Sequence, residues 1–358
     1  MRTRTQTNIL LVIACTGVVL LHLNGDMALY IGHDLGIQDI INLYHTKGLL
    51  STLQTAFQGM TAIIGIFLIN SGYGLTLSSQ NDTRKIFYSR RFTKIWLYSL
   101  ICGLFCAVVA YFYQGNIQYL FVFNLLPIFG FYETPRDWTT IQFWFLSLIF
   151  AYYFVFPFIV KALNTKLFLI IAIPCIGMGY LIFFGLYNTV SIYHSTIVRF
   201  PEFLFGILLA YRTDWQKIVF RARPIKIVLG LVLFCTTYLL NYIPLLSPVS
   251  HLLFSVSAYF LGIQLAGLLD KNSHVARIFN FLKRGTFTTY LIHIVVGKAA
   301  LRFLSSWGTF QSLFEYSCLF RIVVVMLIST VLMAVGSMAE KWYYKALKID
   351  FIQRVTHW

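Results

Sequence analysis

Charge is scarce in this chain. Only 11% of the 358 residues are charged, and acids are the rarer sign, with 12 Asp and Glu against 28 Lys and Arg. Soluble domains carry about 25% charged residues, so one water-facing globular domain is excluded. Paired cysteines are missing too. Cys15, Cys102, Cys106, Cys175, Cys235 and Cys318 form no CxxC pair and all lie in or beside apolar runs. That pattern fits buried thiols packing as small hydrophobes, and it rules out a disulfide framework or a cysteine metal site. No histidine has a zinc-like or protease-like partner at local spacing, so no metal is expected.

What fills the chain instead is apolar and aromatic: 58% hydrophobic and 18% aromatic residues, with a mean hydropathy of +0.74. Sustained over the whole length, this predicts an all-α, polytopic membrane protein forming a single unit over 1–358. The net charge of +16 would suggest nucleic acid in a soluble protein. Here the positives fall between apolar runs, so they orient the chain in a membrane and no nucleic-acid partner is expected. The first apolar run starts with Arg2 and Arg4, as a signal peptide does. It lacks a small-x-small cleavage site and many spans follow, so it reads as a retained first span.

Runs near the ~20 residues needed to cross a bilayer are expected at 8–28, 55–78, 94–113, 141–160, 167–187, 196–211, 227–244, 251–269, 287–304 and 318–339. A further apolar piece, 119–131, is short and interrupted by Pro127 and Gly130. If it does not cross, about ten spans put both termini in the cytoplasm, and 22 of the 28 basic residues fall on that side. If it crosses, the cluster from Arg212 to Lys226 lands outside, against the positive-inside rule. The segment is therefore expected to be re-entrant or to lie on the outer surface, held by protein or water.

Few polar groups remain where chemistry can sit. His22 ends the apolar stretch VVLLH, roughly 21 Å along a helix beginning near Asn8, toward the outer half of the first span. His293 occupies TTYLIH in the ninth. Arg199 and Glu202 stand three apart on one helix and can pair, either as a structural clasp or as a substrate site. Arg302 and Arg321 fall near the outer surface and can snorkel. The loop RKIFYSRRFTK (84–94) concentrates cations at the mouth of the third span. Arg90, Arg91 and Lys94 there suit either an anionic ligand such as a nucleotide phosphate or anionic lipid. The turn Ser71-Gly72-Tyr73-Gly74 permits close backbone approach.

These pieces, in this order, resemble the membrane-bound acyltransferase family 3. The landmarks are the first-span histidine in NILLVIACTGVVLLHLNG; IFLINSGYGL (66–75); FYSRRFTKIWLYSL; FWFLSLIFAYYFVFPFI (143–159), with Trp144, Ser147, Tyr153 and Pro157 in register; VRFPEFLFGILLAY; and TTYLIHIVV. Two departures stand out. The family often has an arginine ten or eleven residues before the histidine, where Leu11 and Val12 stand here, and a glutamate pair where Ile149 and Phe150 stand. The resemblance implies an acyltransferase with acyl-CoA, usually acetyl-CoA, as co-substrate and no bound cofactor. It implies a cell-surface glycan or lipid-linked sugar as acceptor, in a bacterial plasma membrane. It makes His22 the catalytic residue and Arg90, Arg91 and Lys94 the acyl-CoA site. Ser71, Tyr73, Trp144, Tyr153, Arg199, Glu202 and His293 then line the cavity. The rival class is a flippase or exporter using the same intramembrane charges without bond making; no inverted repeat marks one.

Overall fold

The computed structural model describes residues 3–23, 45, 62–79, 82–115, 120–126, 141–186, 194–240, 243 and 245–346. Among these there is no strand. The expected polar group Asn24-Gly25-Asp26, and residues 127–131 of the interrupted segment, lie outside the described residues.

The helices are α1 (Arg4–Leu23), α2 (Ala62–Ser78), α3 (Arg84–Arg91), α4 (Tyr98–Gln114), α5 (Trp144–Ile159), α6 (Thr165–Phe183), α7 (Phe200–Tyr211), α8 (Thr213–Phe220), α9 (Pro224–Leu240), α10 (Ser247–Leu269), α11 (Ser273–Leu282), α12 (Thr286–Ser305), α13 (Gly308–Tyr316) and α14 (Cys318–Ala346). A π-helical stretch, Phe92–Leu97, joins α3 to α4. Among the described residues, six helical stretches are long and apolar enough to cross a membrane, and four shorter apolar helices (α2, α5, α7 and α9) accompany them. The chain is thus a multi-pass membrane protein.

Local signals set several boundaries. Thr83, Asn164 and Asn272 cap α3, α6 and α11 by accepting from backbone N–H groups of the first turn. Gly115, at φ +76°, ends α4 in the left-handed conformation that a side chain would resist. Cys15, Cys102, Cys106 and Cys175 are buried free thiols, whereas Cys235 is exposed.

Burial sorts the helices into a centre and a rim. Along α7, Pro201, Glu202, Phe203, Leu204, Gly206, Ile207, Leu208 and Leu209 are all buried. By contrast, α9 buries only Gly230 and Thr237 and exposes Ile225, Val228, Leu231 and Val232, the pattern of a helix whose other faces meet lipid. The centre is held at van der Waals limits by glycine. A Cβ on Gly72 would lie 2.1 Å from the Phe203 carbonyl oxygen, and one on Gly206 would lie 2.1 Å from that of Ile69. Only helices with no side chain at these points can approach so closely.

These contacts also fix direction. Gly65 meets Glu202 and Gly72 meets Ile207, so α2 and α7 run parallel. Cys15 meets Thr286 and His22 meets His293, so α1 and α12 run parallel as well. The described part of the interrupted segment, Leu120–Leu125, is one short 3₁₀ helix, about 12 Å long. Its C-terminal carbonyls are satisfied from neighbouring helices. Trp96 Nε1 donates to Leu125 O at 3.1 Å, and Ser147 Oγ donates to Leu126 O at 2.6 Å. Irregular backbone at membrane depth requires such protein partners.

Candidate functional site

The site begins with two parallel helices in matched register. Cys15 Sγ of α1 donates to the Thr286 carbonyl of α12 at 3.4 Å. Seven residues further along both helices, the rings of His22 and His293 stand 5.2 Å apart, tilted by 45°. One turn beyond, Gly297 leaves room for Leu23, whose Cδ1 would lie 2.4 Å from an added Cβ. The residues that bring the histidines together are thus small ones above and below them. His293 is fully buried and His22 half-buried. His293 Nδ1 lies 2.8 Å from the Tyr290 carbonyl oxygen. Among the described residues, Lys298, five residues along α12, acts electrostatically on both rings.

The α12 segment below His293 is pinned by three hydrogen bonds, two with Gln142 and one with Cys106. Tyr290 OH donates to Gln142 O at 2.8 Å, Gln142 Nε2 donates to Leu291 O at 2.6 Å, and Cys106 Sγ donates to the same carbonyl at 3.6 Å. The rings of Phe67 and Phe145 pack on Tyr290 at 6.2 and 5.3 Å.

A second cluster gathers residues from α3, the π-helical stretch, the turn before α12 and α14. Neighbouring arginines of α3 part company there. Arg90 turns outward, 46% exposed, and its Nη1 donates to both oxygens of Asp82 at 2.6 and 2.8 Å. Arg91 turns inward, its guanidinium 5.5 Å from the Phe87 ring and 5.7 Å from that of Tyr153. Tyr153 OH and Ser71 Oγ share a hydrogen bond of 2.8 Å, linking Arg91 to α2 through α5. Lys94 sits in the π-helical stretch, a local widening often found at functional sites. It acts electrostatically on Lys283 and Glu340. Glu340 Oε1 accepts from Thr288 Oγ1 at 3.1 Å, so Thr288 Oγ1 accepts in turn from Tyr98 OH at 2.7 Å. Thr288 and His293 are five residues apart on α12, roughly 7.5 Å along its axis. The hydrogen-bonded Glu340–Thr288–Tyr98 chain and the histidine pair thus both involve α12.

Arg199 and Glu202 form a different unit. Both are 1% exposed. Arg199 Nε and Nη2 donate to the Glu202 carboxylate at 2.9–3.1 Å, Nη1 donates to His251 Nε2 at 3.1 Å, and Ser255 Oγ donates to Glu202 Oε1 at 2.6 Å. Each charge is answered by protein groups from α7 and α10, with α2 approaching through Gly65. Of the two uses left open by the sequence, the clasp is the one this geometry matches.

Two expected cavity residues lie apart. Tyr73 faces away from Ser71 and packs edge-on against Phe220 at 5.3 Å. Trp144 packs against His194 at 4.5 Å. A cavity of about 350 Å³ lined by Gln216, Lys217, Phe220 and Arg221 contains none of the expected site residues. Among the described residues no group of His, Cys, Asp and Glu could hold a metal ion. Sequence reasoning missed Lys283, Glu340, His194 and His251. In the sequence Lys283 counts only among the cytoplasmic basic residues and Glu340 enters no reading; nothing local marks either as acting on Lys94.

A family described as an acyltransferase domain matches the chain over residues 8–338. No curated protein and no solved structure matches it.

Proposed function

The chain belongs to that acyltransferase family, whose domain covers it from residue 8 to residue 338, and from this premise we propose that it moves an acyl group, acetyl from acetyl-CoA, onto a hydroxyl of a cell-surface glycan or lipid-linked sugar. The observation that carries the reading is the meeting of the His22 and His293 rings on α1 and α12, with Lys94 acting on Arg91, Lys283 and Glu340 close to the start of α12. Cations suit the phosphates of CoA, and a neutral imidazole suits proton removal from a sugar hydroxyl. Arg91 and Lys94 hold the phosphates, with Lys283 beside them. Arg90, turned to Asp82, contributes long-range charge. The pantetheine arm then brings the thioester along α12 toward His22.

In the general-base route, His22 takes the acceptor O–H proton while the oxygen attacks the thioester carbonyl. The C–S bond breaks, and the CoA thiolate recovers the proton from the imidazolium. In the covalent route, a His22 nitrogen attacks the thioester carbonyl, the C–S bond breaks and CoA leaves as thiolate. The acceptor hydroxyl then attacks the acyl-imidazole, the C–N bond breaks, and the hydroxyl proton balances the one taken up by CoA. Labelled acetyl-CoA supplied without acceptor separates them: a protein-bound acetyl group marks the covalent route.

The ten-span topology with cytoplasmic termini accords with this reading, placing the basic cluster inside and the histidines toward the outside of a bacterial plasma membrane. The parallel run of α2 and α7 supports it. With 119–131 outside the span count, the two helices are the second and sixth spans and share a direction; with that segment crossing, they would oppose. The internally satisfied Arg199–Glu202 clasp weighs against the transporter, which would keep those charges for cargo. The test is His22→Ala, expected to insert normally and lose acyl transfer. Normal acetyl content in the surface glycan of that mutant would overturn the proposal.

A further inference from the structure

We infer that His293 is a positioning residue for His22: its Nε2 accepts a hydrogen bond from the His22 ring and thereby selects which nitrogen of His22 meets the acceptor hydroxyl. This rests on the acyl-transfer reading above and adds a named role to a residue expected only to line the cavity.

The assignment starts from a proton. A carbonyl oxygen only accepts, so the 2.8 Å contact between His293 Nδ1 and Tyr290 O requires the proton on Nδ1. In a neutral imidazole the lone pair is then on Nε2. That atom is buried and has no hydrogen-bond partner among the described residues, a costly state for an acceptor unless a donor comes to it. The Tyr290 carbonyl that sets the tautomer is itself held, since the Tyr290 ring is packed by Phe67 and Phe145 and its hydroxyl is bound to Gln142 O. The tautomer of His293 is thus fixed, and the His22 ring is the imidazole that stands against it.

The spacing suits the bond. Two imidazoles joined by one N–H···N contact of ~2.9 Å have ring centroids roughly 5 Å apart, and these stand at 5.2 Å. The inferred bond requires the half-buried His22 ring to turn from its 45° tilt until a ring N–H points at His293 Nε2. The charged or titratable groups acting on His22 from the described residues are His293 and Lys298. Neither is an acid, and Leu11 and Ile149, at the places where an orienting arginine or carboxylate would stand, are buried apolar residues. His293 Nε2 offers the His22 ring an acceptor.

Proton bookkeeping is unchanged. The acceptor hydroxyl gives its proton to the far nitrogen of His22 as the C–O bond forms, and CoA leaves with the C–S electron pair and recovers that proton. His293 keeps its own proton throughout. Its bond from His22 strengthens while that ring is a cation, as charge-assisted bonds do.

The test compares His293→Gln, His293→Asn and His293→Ala in the purified full-length chain. Turnover and KM are measured with acetyl-CoA in host membranes that supply the acceptor. Glutamine sets a carbonyl oxygen near the place of Nε2. Asparagine reaches only the place of Nδ1 and can satisfy Tyr290 O alone. Asn and Ala are expected to lower kcat by about 10- to 100-fold with KM within twofold, less than the ~10²–10⁴ expected for losing His22, while Gln stays within about fivefold of the parent. Asn equal to Gln, Ala at the parental rate, or an effect confined to KM would overturn the role. Nitrogen-15 NMR of histidine-labelled protein reads the pair without turnover. The expected result is a lone-pair resonance for His293 Nε2 that shifts in His22→Phe. The opposite tautomer, or no response, contradicts the pairing. A parent protein inert with acetyl-CoA would contradict the acyl-transfer reading instead, and the NMR result would then decide the pairing alone.

Discussion

Removing Glu202 separates a structural clasp from a substrate site. Glu202→Ala leaves the Arg199 guanidinium, 1% exposed, with a single described side-chain partner, His251 Nε2, in place of three further bonds to the carboxylate. Ser255 Oγ loses its acceptor as well. Uncoupling one partner of a buried ion pair costs ~3–5 kcal/mol, whereas replacing both by apolar groups of like volume is often neutral. At about 2–4 °C per kcal/mol, the single variant should melt ~6–20 °C below the parent in a detergent thermal scan. The paired variant Arg199→Leu with Glu202→Met should recover most of that loss and retain acyl transfer. A single variant within 2 °C of the parent would refute the energetic argument. A paired variant that is stable yet inert would return Arg199 and Glu202 to the substrate site.

Other outcomes follow from the same geometry. Gly206→Ala puts a methyl 2.1 Å from the Ile69 carbonyl oxygen, so α2 and α7 must part; overpacking of ~1–3 kcal/mol should appear as a lowered melting temperature, and an unchanged one would deny the close approach. Arg91→Gln should raise the KM for acetyl-CoA several-fold, while Arg90→Gln, at a half-exposed pair with Asp82, should change it less than twofold; equal effects would contradict the division of the two arginines. A cysteine placed at Glu133 should react with an impermeant maleimide from outside intact cells. Reaction only from the cytoplasmic side would reverse the topology.

Much of the architecture was legible because apolar length and basic loops are local signals. Each expected span overlaps an apolar helix, six in stretches long enough to cross a membrane and four, α2, α5, α7 and α9, in shorter ones. The site was legible in its residues and opaque in its arrangement. His22 and His293 are separated by most of the chain, and nothing in either motif states that α1 and α12 share a register. Ser71 and Tyr73 are two residues apart and look like one unit, yet at 100° per residue they face opposite directions, one to Tyr153 and one to Phe220. The same rotation sends Arg90 to solvent and Arg91 inward. The Arg199–Glu202 pair was visible at its spacing, but His251 and Ser255, which answer its charges, lie on another helix. Lys283 and Glu340 needed the packing of α12 against α14 before either could be placed beside Lys94.

The measurement closest to the central claim is mass spectrometry of the host's surface polysaccharide in three strains: parent, gene deletion, and deletion complemented with His22→Ala. The account predicts that the repeat unit loses the mass of one acyl group in the deletion and in the His22→Ala strain alike, with the polysaccharide still present at the surface. Full acylation in either strain, or loss of the polysaccharide itself, would contradict it.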